Sequence, residues 1–269
     1  MSAEGVLSHI FDIGGNIGHI WLLAGILSLL MFGVFRFFFR PRRIQATSFE
    51  WRILRHELIC SALTLGMSGY IFGLLRHALG TSGRRSLAEG PVAWWEIGFE
   101  FAVYFFSFDL YFYLLHRLMH MGPLYTLIHK THHYSTAPNP LTAFSFNPIE
   151  GALTGGFLSV FLASFQVHRP AFFMIVGFQP FMSMFVHAGH EIFPRWWYRT
   201  WVTKWFLTSM FHDQHHQYFH CNYGGFTTLW DRLFGTVNPR FEEDFDLLKA
   251  RVARAPALAV VAVGTASQD

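Results

Sequence analysis

The stretch that decides the fold is HRLMHMGPLYTLIHKTHH, residues 116–133. It holds five of the chain's 16 histidines, whereas the overall frequency in 269 residues predicts about one for a window of this length. These five are His116, His120, His129, His132 and His133. A second stretch, HDQHH at residues 212–216, supplies three more: His212, His215 and His216. Written as spacings, the motifs are HxxxH, HxxHH and HxxHH, and we expect the rest of the chain to be arranged around them.

These spacings predict a metal site with two ions. Residues three or four apart on a helix lie on one face, so each motif offers two or three imidazoles to one centre. Neutral imidazole is the commonest metal ligand among side chains. A single histidine on an apolar face is usually a core residue, but three matched spacings in order favour a ligand set. One ion takes about three or four protein ligands, so eight clustered histidines indicate two ions.

The composition excludes an ordinary soluble domain. Hydrophobic residues make up 52% and charged residues 14% of the chain, whereas soluble proteins contain about 25% charged residues. The net charge of +3 arises from basic residues beside apolar segments, which indicates membrane topology signals and no nucleic-acid partner. The two cysteines, Cys60 and Cys221, are far apart, so neither a disulfide framework nor a thiolate metal site is indicated.

The apolar segments predict an all-α protein, an integral membrane helical bundle with a cytoplasmic histidine-rich di-metal cap. Three segments are long enough to cross about 30 Å of hydrocarbon: 18–39, 57–79 and 92–115. Two shorter segments, 151–167 and 170–187, flank Pro170 and predict a helical hairpin, either re-entrant or half-buried. The multi-pass bundle would carry the histidines at one end.

The basic residues predict the orientation. Loop 40–55 contains five arginines, whereas the tail before the first apolar segment contains no Lys or Arg. The positive-inside rule then places this loop in the cytoplasm, and the histidine motifs face the same side. Arg84 and Arg85, on the predicted outer loop 80–91, and Arg76, just before it, oppose this assignment. The acidic N-terminus lacks a basic n-region, so we expect no cleavable signal peptide.

A family resemblance rests on residues 212–236, HDQHHQYFHCNYGGFTTLWDRLFGT. The HxxHH, NYG, WDR and final GT of this stretch resemble the fatty acid hydroxylase and sterol desaturase superfamily of membrane di-iron enzymes. HRLMH, HKTHH and HAGHE fall where that family has its other motifs, and the sterol C5-desaturase-like members are the most similar. The resemblance covers roughly residues 95–240. It suggests N-terminal transmembrane helices at 1–91, a catalytic domain at 92–245 and a C-terminal tail at 246–269.

The resemblance implies two non-haem irons that use O2 to hydroxylate or desaturate a lipid C–H bond, on a sterol-like or fatty acyl substrate. It adds His187 of HAGHE as a ninth ligand and leaves His190 and His220 open. The implied catalytic and metal-binding residues are His116, His120, His129, His132, His133, His187, His212, His215 and His216. No G-x-G-x-x-G fingerprint is visible, so we expect an external electron donor, of cytochrome b5 or ferredoxin type with its reductase.

Acidic residues near the motifs are expected to orient the ligands. A ligating histidine usually donates its other N–H to a carboxylate or a carbonyl. Asp109 lies two turns before His116, and Asp213 and Asp231 lie close to the last cluster. For Asp231, a salt bridge with Arg232 or a helix cap is an equal alternative. Asn222, Gly224 and Gly225 predict a tight turn, because glycine permits positive φ.

Other functions stay open at this level. Within the same family, the chain could be an alkylglycerol, sphingolipid or carotenoid hydroxylase. From a different class, it could be a histidine-rich metal transporter or a haem carrier. A transporter would hold its ligands near the bilayer midplane, whereas these motifs fall at helix ends. The order of apolar residues does not distinguish the lipid substrates, and imidazoles suit zinc as well as iron.

Overall fold

A computed structural model describes residues 19, 21–46, 50–78, 87–88 and 90–265, and within them the chain is mostly helical. The helices, in chain order, are α1 (Trp21–Met31), α2 (Arg36–Phe39), α3 (Trp51–Ala78), α4 (Trp94–Met119), α5 (Pro148–Ser164), α6 (Arg169–Val186), α7 (Ser209–Tyr218), α8 (Leu229–Leu233) and α9 (Phe241–Thr265). Two short strands, β1 (Leu87–Ala88) and β2 (Val167–His168), pair in parallel. The predicted N-terminal tail and most of the predicted loop 80–91 lie outside the described residues.

Local sequence signals fix where these helices begin. The side chain of Asn147 accepts a hydrogen bond from the backbone N–H of Ile149 at 2.9 Å, and Pro148 follows as the first residue of α5. Thr208 caps α7 in the same way, accepting from Phe211 N at 3.2 Å. These caps set the ends of the two helices that border the histidine motifs.

Two of the described helices, α4 and α6, are long and apolar enough to cross a membrane by length and composition. With 26 residues, α4 is about 39 Å long. Only 22% of the most apolar window of each helix is buried, and Trp94, Phe99, Phe173 and Phe181 are among the exposed large side chains. A core helix of a soluble protein would be mostly buried, so this exposure favours lipid contact.

The other predicted apolar segments take different forms. The predicted segment 57–79 falls in α3, and the predicted break at Pro170 is confirmed, because β2 separates α5 from α6. The prediction of one continuous span at 18–39 differs from the structure. There, the end of α1 passes into a π-helical segment, Leu29–Val34, which precedes α2. The boundary predicted at residue 246 falls inside α9, whose helix continues to Thr265.

Helix α3 packs closely against α5. A Cβ added to Gly151 would lie 2.4 Å from the Thr64 methyl group and 3.0 Å from Ser68 Oγ. Gly151 is therefore required here for close approach of the two helices, and Gly155 faces Ser68 one turn later. On the other side of α5, an aromatic core that includes Tyr104 joins it to α4 and α6. The four helices enclose the space below the histidine motifs.

Segments between the helices form a cap over this end of the bundle. Helix α7 is buried from Ser209 to His216. Its Phe211 packs in an apolar cluster with Phe245 of α9. Residues 42–44 run beside 189–191, with hydrogen bonds from Ile44 N to Gly189 O and from Glu191 N to Arg42 O, both at 2.9 Å. The side chain of Arg251, in α9, donates to the carbonyl of Arg43.

Candidate metal centre

All nine predicted ligands converge at the cap, and they divide into two groups. Within each group, one possible ligand atom per residue lies within 4.8 Å of all the others. The first histidine group is His116, His120, His129, His133 and His215. The second histidine group is His132, His187, His212 and His216. Eight of the nine residues are buried, and His120 is partly exposed.

Three structural elements bring the first group together. Helix α4 ends in HRLMH and presents two rings from one face, the 129–133 segment presents two more, and α7 presents the last. Their Nε2 atoms face one another: His116 to His129, His129 to His133, and His133 to His215 are each 3.0 Å apart. Ligands at right angles around an ion at about 2.1 Å would be about 3 Å apart, so the spacing fits a common metal ion.

The second group has the same geometry. His187, directly after α6, has its Nε2 at 3.2 Å from that of His132 and 2.9 Å from that of His212. The Nε2 of His216 is buried and has no hydrogen-bond partner. His132 and His133 are adjacent in a 3-10 turn yet belong to different groups.

The hydrogen bonds at the outer ring nitrogens leave the inner ring nitrogens free to bind a cation. His116 Nδ1 lies 2.8 Å from the carbonyl of Tyr223, and His215 Nδ1 lies 2.7 Å from that of Cys221. A carbonyl only accepts, so each Nδ1 carries the hydrogen and each neutral ring has a bare lone pair at Nε2. The same holds for His187 and His216, which donate to carbonyl oxygens of Ser183 and Ser135. Bare lone pairs gathered in a buried site fit a bound metal.

Burial also keeps these imidazoles neutral, which is the ligating form. It lowers the pKa of His187 to about 4, with the neighbouring His116 adding to the effect. Burial lowers the pKa of His120 to about 2, again with a contribution from His116. In the second group, burial followed by the nearby imidazoles lowers the pKa of His132 and His212 well below the usual value.

One predicted role for the acidic residues was wrong. Among the described residues, Asp109 hydrogen-bonds to no histidine; its carboxylate accepts hydrogen bonds from Phe226 N at 2.7 Å, Thr227 N at 3.0 Å and Trp230 Nε1 at 3.0 Å. The helical spacing to His116 was correct, but the loop after α7 occupies that position. Asp213 instead accepts from the Gln45 side chain at 2.7 Å.

Asp231 supports the loop that orients the first group. Its two oxygens accept from Tyr223 N at 2.8 Å and Gly224 N at 2.7 Å, so neither alternative, a salt bridge with Arg232 or a helix cap, describes these bonds. The turn prediction also needs correction: positive φ occurs at Asn222, at 59°. Gly224 is required for close approach, because an added Cβ would lie 2.2 Å from Thr227 O.

Two of the buried acids that sequence reasoning missed support the histidine motifs. Glu150 Oε1, in the first turn of α5, lies 2.8 Å from His129 Nδ1, as a ligand's supporting carboxylate would. The Asn-Pro signal that starts α5 could have placed this residue at a helix N-terminus beside the motifs. Glu57, in α3, bonds the segment after HKTHH, and no local signal points to it.

The two histidines left open belong to neither group. The ring of His190 packs against Phe39 with centroids 5.6 Å apart, and its Nδ1 lies 2.8 Å from Ala188 O. His220 is exposed beyond the end of α7. Within the two groups, rings such as His116 and His215 pack with centroids 4.3 Å apart. Such packing leaves no slot for a porphyrin, so the geometry does not favour the haem alternative.

An apolar cavity of about 210 Å³, enclosed by the helix bundle, reaches both groups. Its walls come from α3, α4, α5 and α6 and from the loop after α7. Histidines from each group line its inner end, and phenylalanines line the approach: Phe108, Phe112, Phe144, Phe146 and Phe226. Pro180, inside α6, also lines it. An alkyl chain or ring system in this cavity would contact both histidine groups.

The chain belongs to the fatty acid hydroxylase family, whose family model, described as Fatty acid hydroxylase, matches residues 101–236. A putative methylsterol monooxygenase of Dictyostelium discoideum is 32% identical over 207 residues, which cover 74% of each chain. The family resemblance inferred from the motifs is thereby confirmed, and the match lies inside the predicted catalytic domain.

Other relatives match a smaller part. A second putative methylsterol monooxygenase of Dictyostelium discoideum is 35% identical over 62% of this chain and 59% of its own length. A Delta(7)-sterol 5(6)-desaturase of Eremothecium gossypii is 32% identical over 54% of this chain and 39% of its own. The chain thus spans about half the length of these relatives. No solved structure shows a significant match.

Proposed function

We propose that the chain binds two iron ions, one in each histidine group, and uses O2 to hydroxylate or desaturate a C–H bond of a lipid. The observation that carries this proposal is that two buried groups of converging imidazoles line one apolar cavity. Family membership supports the same chemistry, and the apolar exterior of α4 and α6 supports a lipid source for the substrate.

The proposed division of labour follows from the residues present. When bound, iron supplies the O2-dependent redox chemistry that no side chain in the cavity supplies. The chain holds the metal ligands through fixed outer hydrogen bonds, such as His116 to Tyr223 and His129 to Glu150. The phenylalanines exclude water and hold apolar carbon beside the histidines. Each part is needed, because oxidation of an unactivated C–H bond requires the carbon to be positioned close to the metal.

For the substrate, we propose a sterol-like lipid. The relatives named above are described as acting on sterols, and the cavity walls are largely aromatic and aliphatic. A few polar side chains interrupt this lining, among them Gln179, which accepts a hydrogen bond from Tyr104 at 2.5 Å. Such isolated polar groups in an apolar cavity fix the orientation of a ligand. A fatty acyl substrate is the competing possibility within the same chemistry.

We also propose a multi-pass topology with the histidine groups on the cytoplasmic side. Both candidate spans lead to this end: α4 runs into His116 and His120, and His187 follows α6 directly. The arginine-rich loop 40–55 supports the cytoplasmic assignment. A cysteine introduced at the exposed Gln217 should react with a membrane-impermeant maleimide only after the cells are permeabilised, which gives the reagent access to the cytoplasmic face. Labelling of intact cells would place the site outside.

A separate protein is proposed to deliver electrons, of cytochrome b5 or ferredoxin type with its reductase. The sequence contains no G-x-G-x-x-G dinucleotide fingerprint, which supports the assignment of reduction to a partner.

The test is a combined metal and product analysis. The purified chain in lipid nanodiscs should contain two irons, show no Soret band, and convert a sterol or fatty acyl lipid when O2 and a reducing partner are supplied. Comparative lipid profiling of deletion and complemented cells should show which lipid accumulates. A chain that holds zinc in both groups, or deletion cells with an unchanged lipid profile, would contradict the proposal.

A further inference from the structure

Helix α3 lies outside the residues matched by the family, 101–236, yet it contacts the segment that carries the second motif. Three of its polar side chains form hydrogen bonds with residues 131–146. His56 Nε2 lies 3.3 Å from the carbonyl of Thr131, and Thr64 Oγ1 donates to the carbonyl of Phe146 at 2.8 Å. Glu57, between them, is fully buried.

Glu57 makes the most extensive of these contacts. Its Oε1 accepts hydrogen bonds from Ser135 Oγ at 2.7 Å and from Thr142 Oγ1 at 2.5 Å. Both of its oxygens lie 2.9 Å from Asn139 Nδ2. A carboxylate offers about four lone-pair positions, so one side chain gathers three donors from residues 135–142. The loop that follows HKTHH is therefore fixed from α3.

This loop in turn orients a predicted ligand. The backbone carbonyl of Ser135 accepts from His216 Nδ1 at 3.0 Å. That bond places the hydrogen on Nδ1 and leaves Nε2 as the bare nitrogen of the second histidine group, where it is buried without another partner. Ser135 is itself buried. It bonds Glu57 through its hydroxyl and His216 through its backbone carbonyl.

We propose that Glu57 is a positioning residue for the second metal centre and acts through Ser135 on His216. The inference rests on the proposed function, because it assumes that the second histidine group holds a metal. Glu57 touches no ligand directly. It fixes the position of the Ser135 carbonyl, and a displaced carbonyl would release the His216 ring from the orientation that points Nε2 at the group. Partners that support a ligand typically contribute about 10–100-fold to metal affinity.

Cobalt(II) titration tests this inference with a readout other than activity. The metal-free chain in nanodiscs is titrated with Co(II) alone, the visible absorption reports the ligand set, and elemental analysis gives the number of ions bound. In Glu57→Ala, the first ion should bind with wild-type affinity and the second about tenfold more weakly. The absorption of the second ion should also change.

Two further variants separate positioning from folding. Ser135→Ala removes the hydroxyl that Glu57 holds but keeps the carbonyl, and it should weaken the second ion severalfold. In combination with Glu57→Ala it should add little, because both act on one path. Glu57→Gln keeps one acceptor oxygen for Ser135 and Thr142 and should restore most of the binding. The control is Glu100→Ala, which removes a carboxylate bonded to His168 near β2 and should leave both ions unchanged.

The outcomes distinguish this inference from the proposed function. If Glu57→Ala and Ser135→Ala both bind two ions as the wild type does, the role of Glu57 is overturned. The proposed function is not affected by that result. If Glu57→Ala does not fold, Ser135→Ala decides, because its backbone contacts are intact. A wild-type chain that binds no metal would instead remove the metal centre, and the inference with it.

Discussion

Replacement of Gly151 by alanine tests the close approach of α3 and α5, which holds Glu57 and Glu150 on either side of the histidine motifs. The new Cβ would lie 2.4 Å from the Thr64 methyl group. Apolar carbons pack at about 3.5–4 Å, so the two atoms would overlap by more than 1 Å. Overpacking of this kind costs about 1–3 kcal/mol of folding free energy.

Two further variants isolate the free-energy cost of this steric overlap. Gly177→Ala, within α6, adds a Cβ with no atom within 4 Å, so it reports only the gain in helix propensity, up to about 1 kcal/mol. Thr64→Ser removes the clashing methyl group but keeps the hydroxyl that bonds Phe146 O at 2.8 Å. Combined with Gly151→Ala, it should recover most of the loss.

The assay is thermal unfolding of the protein in nanodiscs, followed by far-UV circular dichroism. Gly151→Ala should melt about 2–12 °C below Gly177→Ala, since 1 kcal/mol corresponds to about 2–4 °C in a chain of this size. If the two alanine variants melt together, or if Thr64→Ser does not rescue Gly151→Ala, the helices are not in the contact described and this reasoning fails.

Further predictions concern the site itself. His132→Ala or His215→Ala should abolish lipid oxidation while the protein stays in the membrane; full activity with unchanged iron content would contradict a ligand role. Glu150→Gln should weaken the first ion about 10–100-fold in a Co(II) titration, because His129 loses its carboxylate partner. Asp231→Asn should also weaken that ion, about tenfold, since an amide N–H would face Gly224 N–H; an unchanged titration would refute this. In the metal-free protein, burial lowers the pKa of His187 from 6.5 to about 4 on folding. Between these two pH values the unfolded chain binds a proton that the folded chain does not. The free energy of unfolding, measured with denaturant, should therefore decrease as the pH falls from 6.5 toward 4.

The sequence predicted which histidines converge because each motif is local. HxxxH and HxxHH place rings on one face of a helix whatever the rest of the chain does, and the apolar segments predicted where the helices would lie. The division into two groups did not follow from spacing. His132 and His133 are neighbours in one 3-10 turn, and their rings belong to different groups.

The supporting residues were harder to predict because they act across long separations in the chain. Glu57 and Ser135 are 78 residues apart, and Asp109 and Phe226 are 117 apart. For Asp109, the helical spacing gave the right face but not the partner. Nothing in the local sequence of α3 distinguishes a carboxylate that fixes a ligand loop from one that neutralises a neighbouring arginine.

The contact between Arg251 and the carbonyl of Arg43 sets an order of assembly for the newly made chain. The two residues are 208 positions apart. At a synthesis rate of about 5–20 residues per second, the segment 42–44 waits about 10–40 s before its partner in α9 is made. All nine predicted ligands, the last of which is His216, therefore leave the ribosome before Arg251 can close this side of the cap.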